Sequence, residues 1–410
     1  MASHDPSIIA SLRQQEARFL RNPIAEANVL LPTLEILEAP KDRNSSQVRL
    51  AALHSTRRAF SSLLDRSDLW EEDHEGTSAL AFRNWVLDRF KDYFDALLRF
   101  VNEDSADIAS PALLTALEFA KDHARKLRVP GASSLLEDIV RFLSHSSKID
   151  DKLLSLVEST MFSVDGLLLR TLRAVRKVAD DAYRSKGSSI IPDDLLSANL
   201  VALLCLASMP KSVEDLKNVK NETAAKRQRT GAQETSANLS SEESETYSSD
   251  TCIDDNSATT NIAHDSSSKK RRASRFPIRC NRELAKYRGA FEAAWLAILK
   301  LPLRAQTYKR VLLRIPEHVL QHMAAPTKLA DFLMDSYKMG GVTSVLALSS
   351  LFILMRYHNL DCPNFYDRLY KTLQPSIFYA KHRVRFFRLL TICLTTSSIP
   401  IHVTGAFLKK

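Results

Sequence analysis

Between Phe352 and Phe387 the chain reads FILMRYHNLDCPNFYDRLYKTLQPSIFYAKHRVRFF, and four sets of side chains there could do chemistry. His358 and Cys362 stand four apart, a spacing at which one helical face can offer an imidazole and a thiolate to a metal ion. Pro363 puts a turn between their neighbours and no second ligand pair stands nearby, so no metal site is expected. Asp361 and Asp367 are two carboxylates of the kind that acid–base catalysis uses, but no glycine loop, base or cleft signal accompanies them. No catalytic residue and no cofactor are expected. Phe365, Tyr366, Tyr370, Phe378 and Tyr379 could stack on nucleobases, although their spacing fits core and inter-helix packing better. The fourth set is cationic: Lys381, Arg383, Arg385 and Arg388, with no acid from Lys381 to Pro400. Lys381, Arg385 and Arg388 follow one another at steps of four and three, while Phe386, Leu389, Leu390 and Cys393 face the other way. The expectation is a basic ridge on an amphipathic helix, open to RNA phosphates or to an acidic partner.

The elements that position these groups are helices. Pro363 suits the first turn of a helix and not its interior, so a helix is expected from about Pro363, with Asp361 or Asn359 as its cap. Phe365, Leu369 and Leu373 fall at every fourth position along it, and Pro375 ends it. Upstream, Gly340 and Gly341 are placed to close the helix in LADFLMDSYKM, because glycine accepts the left-handed conformation that ends a helix. Residues 342–357 are apolar nearly all round, as a central buried helix must be. Leu284, Tyr287, Phe291, Trp295 and Ile298 form one apolar face that stops before Pro302.

Residues 1 to about 210 read as consecutive helices too. In TSALAFRNWVLDRFKDYFDALLRFVN, Phe82, Val86, Phe90, Tyr93, Leu97 and Phe100 recur at steps of three and four, widened by Leu87, Phe94, Leu98 and Val101. Comparable patterns occupy 50–64, 113–127, 135–143, 153–182 and 195–209. No repeat is visible at the residue level, but helix pairs spaced by roughly 40 residues fit a degenerate solenoid. Between 211 and 276 the large apolar residues become few and isolated, too few to offset the entropy of ordering, and a disordered linker is expected. The run KKRRASRF near its end makes Lys269, Lys270, Arg271 and Arg272 a nuclear-import signal by type.

Charge supports that division. Residues 1–268 carry 32 Lys and Arg against 41 Asp and Glu, whereas 269–410 carry 25 against 7. A basic C-terminal third on an acidic body suits a protein that sits in a nucleic-acid-rich assembly. The chain has 410 residues with only 9 glycines, which favours helices over turn-rich β structure. Its 5 cysteines include no CxxC pair, so reduced thiols are expected rather than disulfides or zinc. MASHDPSIIASLRQQEARFL is not a secretory signal, and no run reaches the ~20 apolar residues of a membrane span, so a soluble protein is expected.

At three quoted runs the chain resembles a known family. FEAAWLAILKLPLRAQTYKRVLL, then LADFLMDSYKMGGVTSVLALSSLFILMRYHNLDCPNFYDRLYKTLQPSIF, then KHRVRFFRLLTICLTTSSIP resemble the CCAAT-binding-factor (CBF) domain, from about Phe291 to Lys410. Within that family the likeness is to its nucleolar members, and it is looser in the N-terminal half, through AALHSTRRAFSSLL. The resemblance implies a nuclear and nucleolar ribosome-biogenesis factor of the small-subunit processome, acting on the path to 18S rRNA and the 40S subunit. It also implies a stable partner of the nucleolar protein 14 type, other processome proteins, and no catalysis. Direct contact with pre-ribosomal RNA stays open. Cys362 stands where the family usually has tyrosine. The chain ends at AFLKK where family members continue through further helices, so its last helix is expected to lack normal cover.

The combined expectation is all-α: an armadillo/HEAT-like helical solenoid in two lobes, 1–210 and a CBF-type 277–410, around a disordered linker at 211–276. The rival reading is a DNA-binding transcription factor of CCAAT-binding type, although no helix-turn-helix, zinc finger or basic zipper is visible. An importin-type adaptor and an enzyme fit less well.

Overall fold

The computed structural model describes residues 5–39, 45–65, 77–102, 106–126, 134–146, 151–162, 167–185, 193–212, 214–216, 268–379, 383–395 and 401–409, and among these there is no strand. The N-terminal stretch holds α1 (Asp5–Arg21), α2 (Leu30–Glu38), α3 (Ser46–Leu64), α4 (Thr77–Val101), α5 (Ala106–Lys126), α6 (Ser134–His145), α7 (Asp151–Met161), α8 (Leu168–Arg184) and α9 (Asp193–Cys205). Ser45 caps α3 by accepting the Val48 N–H at 3.4 Å, and so satisfies one of the amides a helix start leaves orphaned.

Helices pack mostly on those one or two places along the chain: α1 on α3, α2 on α3 and α4, α3 on α4 and α5, α4 on α5, α5 on α6 and α7, α6 on α8, and α8 on α9, while α6 also reaches α9. Polar links recur at the same interval. Arg58 pairs with Glu16, the Tyr93 hydroxyl donates to Leu53 O at 2.9 Å, and Ser146 donates to Asn102 at 3.1 Å. Lys177 donates to Glu137 at 2.6 Å and Arg141 to Asp181 at 3.2 Å. The partners lie 40 to 44 residues apart, which makes the helix-pair repeat visible where residue identity does not. The fold is a helical solenoid.

The apolar stripe of α4 does what its spacing predicts. Phe90 meets Phe60 and Phe119 edge-on at 5.4 and 5.3 Å, and Tyr93 stacks on Phe60 at 5.4 Å. Edge and offset contacts of this kind add roughly 0.5–1.5 kcal/mol each to the burial of the rings. Asn199 of α9 donates to the carbonyls of Leu143, Ser144 and Ser146, which closes the C-terminal end of α6. One expectation changes: the pattern at 153–182 is two helices, α7 and α8. Thr171 in the first turn of α8 donates to Met161 O at 3.2 Å and takes up a carbonyl that the end of α7 leaves free.

The C-terminal stretch holds α10 (Ser268–Leu299), α11 (Ala305–Arg314), a π turn (Ile315–Val319), a 3-10 turn (Pro326–Leu329), α12 (Ala330–Lys338), α13 (Gly341–Tyr357), α14 (Phe365–Thr372), a second 3-10 turn (Pro375–Tyr379), α15 (Arg383–Thr395) and α16 (Ile401–Lys409). Met1–Met209 and Tyr287–Lys410 form one compact unit, in which α9 packs on α11. Pro210–Lys286 is the second unit, where Asp215 accepts the Lys211 and Ser212 amides. Residues 217–267, most of the expected linker, lie outside the described residues. Residues 268–276, assigned to that linker by sequence, are helical instead. The apolar face from Leu284 to Ile298 anchors α10, and extending an existing helix costs far less than nucleating one.

Candidate interaction surface

The C-terminal groups singled out by sequence are organised around α13. Gly340 has φ +76° and Gly341 φ +61°, so the pair closes α12 and opens α13 as their residue type predicts. Ser344, Leu346, Ala347, Leu348, Ser350, Leu351, Phe352 and Leu354 of α13 are all buried, so this is the central helix. α12, α11 and α15 pack against it.

The turn after α13 differs from expectation. The helix does not begin at Pro363, and neither Asp361 nor Asn359 caps it. Asn359, at φ +49°, ends α13 instead: the left-handed residue turns the chain so that Leu360 N–H reaches back to Leu354 O at 3.2 Å, the same oxygen that His358 N–H bonds at 3.0 Å. Phe365 N–H then bonds Cys362 O at 3.3 Å across Pro363 and Asn364, whose φ is +59°. Proline second and a left-handed asparagine third is the residue order of a type II turn. α14 therefore starts only at Phe365, because Pro363 is used by the turn.

His358 is exposed and Cys362 is buried against Met334, 3.9 Å sulfur to sulfur, so the turn separates the two. Burial pushes the Cys362 thiol up from its ordinary value. Arg368 reaches the same sulfur of Met334 at 3.7 Å and lies over the Tyr337 ring at 5.0 Å. Among the described residues no group of three or more His, Cys, Asp or Glu could hold a metal. Asp361 and Asp367 are both exposed. A cavity of about 400 Å³ opens beside Gly340, lined by Tyr337, Ser344, Lys371, Gln374 and Ile377 among others, with no acid or histidine in its wall.

Of the five aromatic candidates, three are packing residues. Phe365 is buried against Phe352 and Tyr366, and Tyr370 meets Phe407 of α16 edge-on at 5.4 Å. Phe378 and Tyr379 are not: they are 56% and 88% exposed. The 3-10 turn puts Ile377 into the core and its next two residues outside, with Phe378 resting on Phe387 at 5.1 Å. Spacing could not separate these cases, because a short turn has no fixed inward face.

The cationic set divides as well. Lys381 lies outside the described residues. On α15, Phe386, Leu389 and Cys393 are buried and Leu390 is half-buried, so Arg385 and Arg388 face outward as expected. Burial pushes the Cys393 thiol up to about 12. Arg383 points elsewhere and donates to Phe378 O at 3.4 Å, beside the exposed rings. Arg385 donates to Leu313 O at 3.5 Å and pairs with Glu317 at 3.5 Å. Among the described residues Arg383 and Arg388 pair with no carboxylate. Lys269, Lys270, Arg271 and Arg272 fall in the opening turns of α10.

Comparison with known proteins meets this geometry at both ends of the chain. Residues 344–410, from α13 onward, match the CBF/Mak21 family. Residues 14–183, the α1–α8 stack, match the TPR repeats of the nucleolar complex protein 4-like family. Nucleolar complex protein 4 homolog B of Xenopus laevis is 26% identical over 403 residues, covering 94% of this chain and 66% of that protein. The chain resembles nucleolar complex protein 4 along nearly its whole length, and its C-terminal end resembles the CBF/Mak21 family. The likeness to two other relatives is closer over shorter stretches. Protein NUCLEOLAR COMPLEX ASSOCIATED 4 of Arabidopsis thaliana is 51% identical over 120 residues, 29% of this chain and 21% of that one. The Homo sapiens homolog of nucleolar complex protein 4 is 43% identical over 127 residues, 31% of this chain and 25% of that one. The chain thus spans at most about two thirds of these relatives' length. The match over the N-terminal stack is to TPR-type repeats, where the sequence predicts an armadillo/HEAT-like solenoid. No helix of the described residues is long and apolar enough to cross a membrane.

Proposed function

We propose that this protein is a nucleolar ribosome-biogenesis scaffold without enzymatic activity. It works in the small-subunit processome on the path to 18S rRNA and the 40S subunit. The observation that carries this reading is the alignment with nucleolar complex protein 4 homolog B over 94% of the chain, which joins a TPR-type stack to a CBF domain. A solenoid offers long helix faces to partners and needs no reactive group to do so. A protein of the nucleolar protein 14 type is the stable partner, and further processome proteins surround the pair.

The test is depletion followed by rRNA analysis. The reading expects 18S rRNA and 40S subunits to fall while large-subunit precursors stay near normal. Normal 18S with blocked large-subunit maturation overturns it. Nuclear entry is assigned to Lys269, Lys270, Arg271 and Arg272. Replacing all four with alanine is expected to leave the protein in the cytoplasm, and unchanged nuclear accumulation removes that assignment.

A further inference from the structure

The turn at Pro375–Tyr379 and the start of α15 place together groups that packing does not account for. Tyr379 is 88% exposed, Phe378 56% and Val384 73%. Their exposure to water is unfavourable, and Phe378 is nonetheless held firmly in place by its contact with Phe387 at 5.1 Å. Arg383 is tied to the same turn through Phe378 O at 3.4 Å, so a guanidinium stands beside the rings. Arg385 and Arg388 continue outward along the helix. Arg383 and Arg385 occupy the first turn of α15, where the helix dipole disfavours cations. Among the described residues only Glu317 supplies a carboxylate to any of them, at 3.5 Å from Arg385. The surface therefore carries positive charge that the described residues do not neutralise.

We propose that Phe378, Tyr379, Arg383, Arg385 and Arg388 form a binding site for single-stranded RNA. Bases stack on the two rings and backbone phosphates lie on the guanidinium groups. Rings that stand out of the surface suit a flat base, whereas a protein side chain is gripped in a pocket instead. Duplex RNA keeps its bases stacked on one another and cannot use the rings. The site deepens the ribosome-assembly reading and rests on it for the source of the strand.

The test uses the purified full-length chain and a labelled oligouridylate of about 16 nucleotides. Anisotropy titrations run at several salt concentrations between about 50 and 200 mM. Tyr379→Ala is expected to weaken binding about tenfold and leave the salt slope unchanged. Its side chain is almost wholly exposed, so the variant folds. Arg383→Ala and Arg388→Ala each flatten the slope of log K against log salt by about 0.7. Glu317→Gln releases Arg385 and tightens binding. Equal affinity of wild type and Tyr379→Ala overturns the site, as does a duplex that binds as tightly as the strand. Binding of an acidic peptide but not of the strand assigns the patch to a protein partner and also overturns it. Strand binding in vitro combined with normal 18S rRNA after depletion leaves the site standing and removes the processome reading.

Discussion

The helices before residue 210 and those after 287 share an architecture and use charge in opposite ways. In the first stretch, cations find carboxylates on the next helix pair: Arg58 with Glu16, Arg57 with Glu118, Lys177 with Glu137, Arg141 with Asp181. In the second, several links between helices are neutral or use sulfur and rings. Tyr308 bonds Ser336 at 2.6 Å, Cys362 meets Met334, and Arg368 lies against Met334 and Tyr337. The cause is compositional. Residues 269–410 hold 7 acids against 25 cations, so carboxylates of their own stretch are too few to pair with most of those cations one to one. One stretch closes its charge on itself and the other leaves it open to an outside anion.

The largest expected effect tests whether the two stretches stand or fall together. Phe60→Ala removes a ring from the α3–α4 core, and Trp295→Ala removes the fully buried indole of α10. Each should cost about 3–5 kcal/mol, the usual range for emptying a large aromatic site. Because Met1–Met209 and Tyr287–Lys410 form one compact unit, both substitutions should lower the same calorimetric transition. Two transitions, each moved by one variant only, would turn the comparison into one between independent lobes.

Helix existence was legible in the sequence wherever an apolar stripe ran long. The α4 stripe, the buried α13 and the glycines that open it all stand where the spacing puts them. Boundaries set by local competition were not legible. Pro363 fits the first turn of a helix and the second position of a type II turn equally well, and only the left-handed Asn364 decides for the turn. The roughly 40-residue repeat was legible as spacing alone, since its links use different residue pairs at each step. At the candidate site, Arg385 and Arg388 could be placed outward from Phe386 and Leu389. Arg383 and the rings of Phe378 and Tyr379 could not, because their positions depend on how a 3-10 turn meets α15.

A smaller effect should separate a buried ion pair from exposed ones. Glu292 is 5% exposed, and its two oxygens accept the Ala325 amide and the Lys328 ammonium, both at 2.6 Å. It fastens α10 to the turn before α12. Glu292→Gln keeps the size but loses the charge on both bonds, and should cost about 1–3 kcal/mol in chemical denaturation. Arg57→Ala breaks an exposed pair with Glu118 and should cost about 1 kcal/mol or less. If the two costs prove equal, burial adds nothing to the bonds of Glu292, and its place between α10 and the turn before α12 is no stronger a tie than an exposed pair.

The smallest effect concerns pH, and it asks whether the acids of the N-terminal stretch all work in its favour. The hydrogen bond from Arg58 holds the Glu16 carboxyl below its ordinary value of 4.5. Its contribution is therefore complete above about pH 4.5 and disappears as pH falls through the lowered folded value. Burial pushes the Asp138 carboxyl the other way, above its ordinary 3.8. Its charge is a cost that is absent below 3.8 and grows as pH rises through the raised folded value. Glu16→Gln should thus destabilise at pH 7, and Asp138→Asn should stabilise there. Both changes should stay within about 1 kcal/mol, since solvent screens these partly exposed groups. Each difference from wild type should vanish in acid, once the carboxyl is protonated in both the folded and the unfolded chain. Melting curves of the two variants across that range check the signs. A loss of stability at pH 7 from Asp138→Asn would mean that the pull of the neighbouring Arg141 outweighs burial. Every acid named here would then help close the charge of the N-terminal stretch.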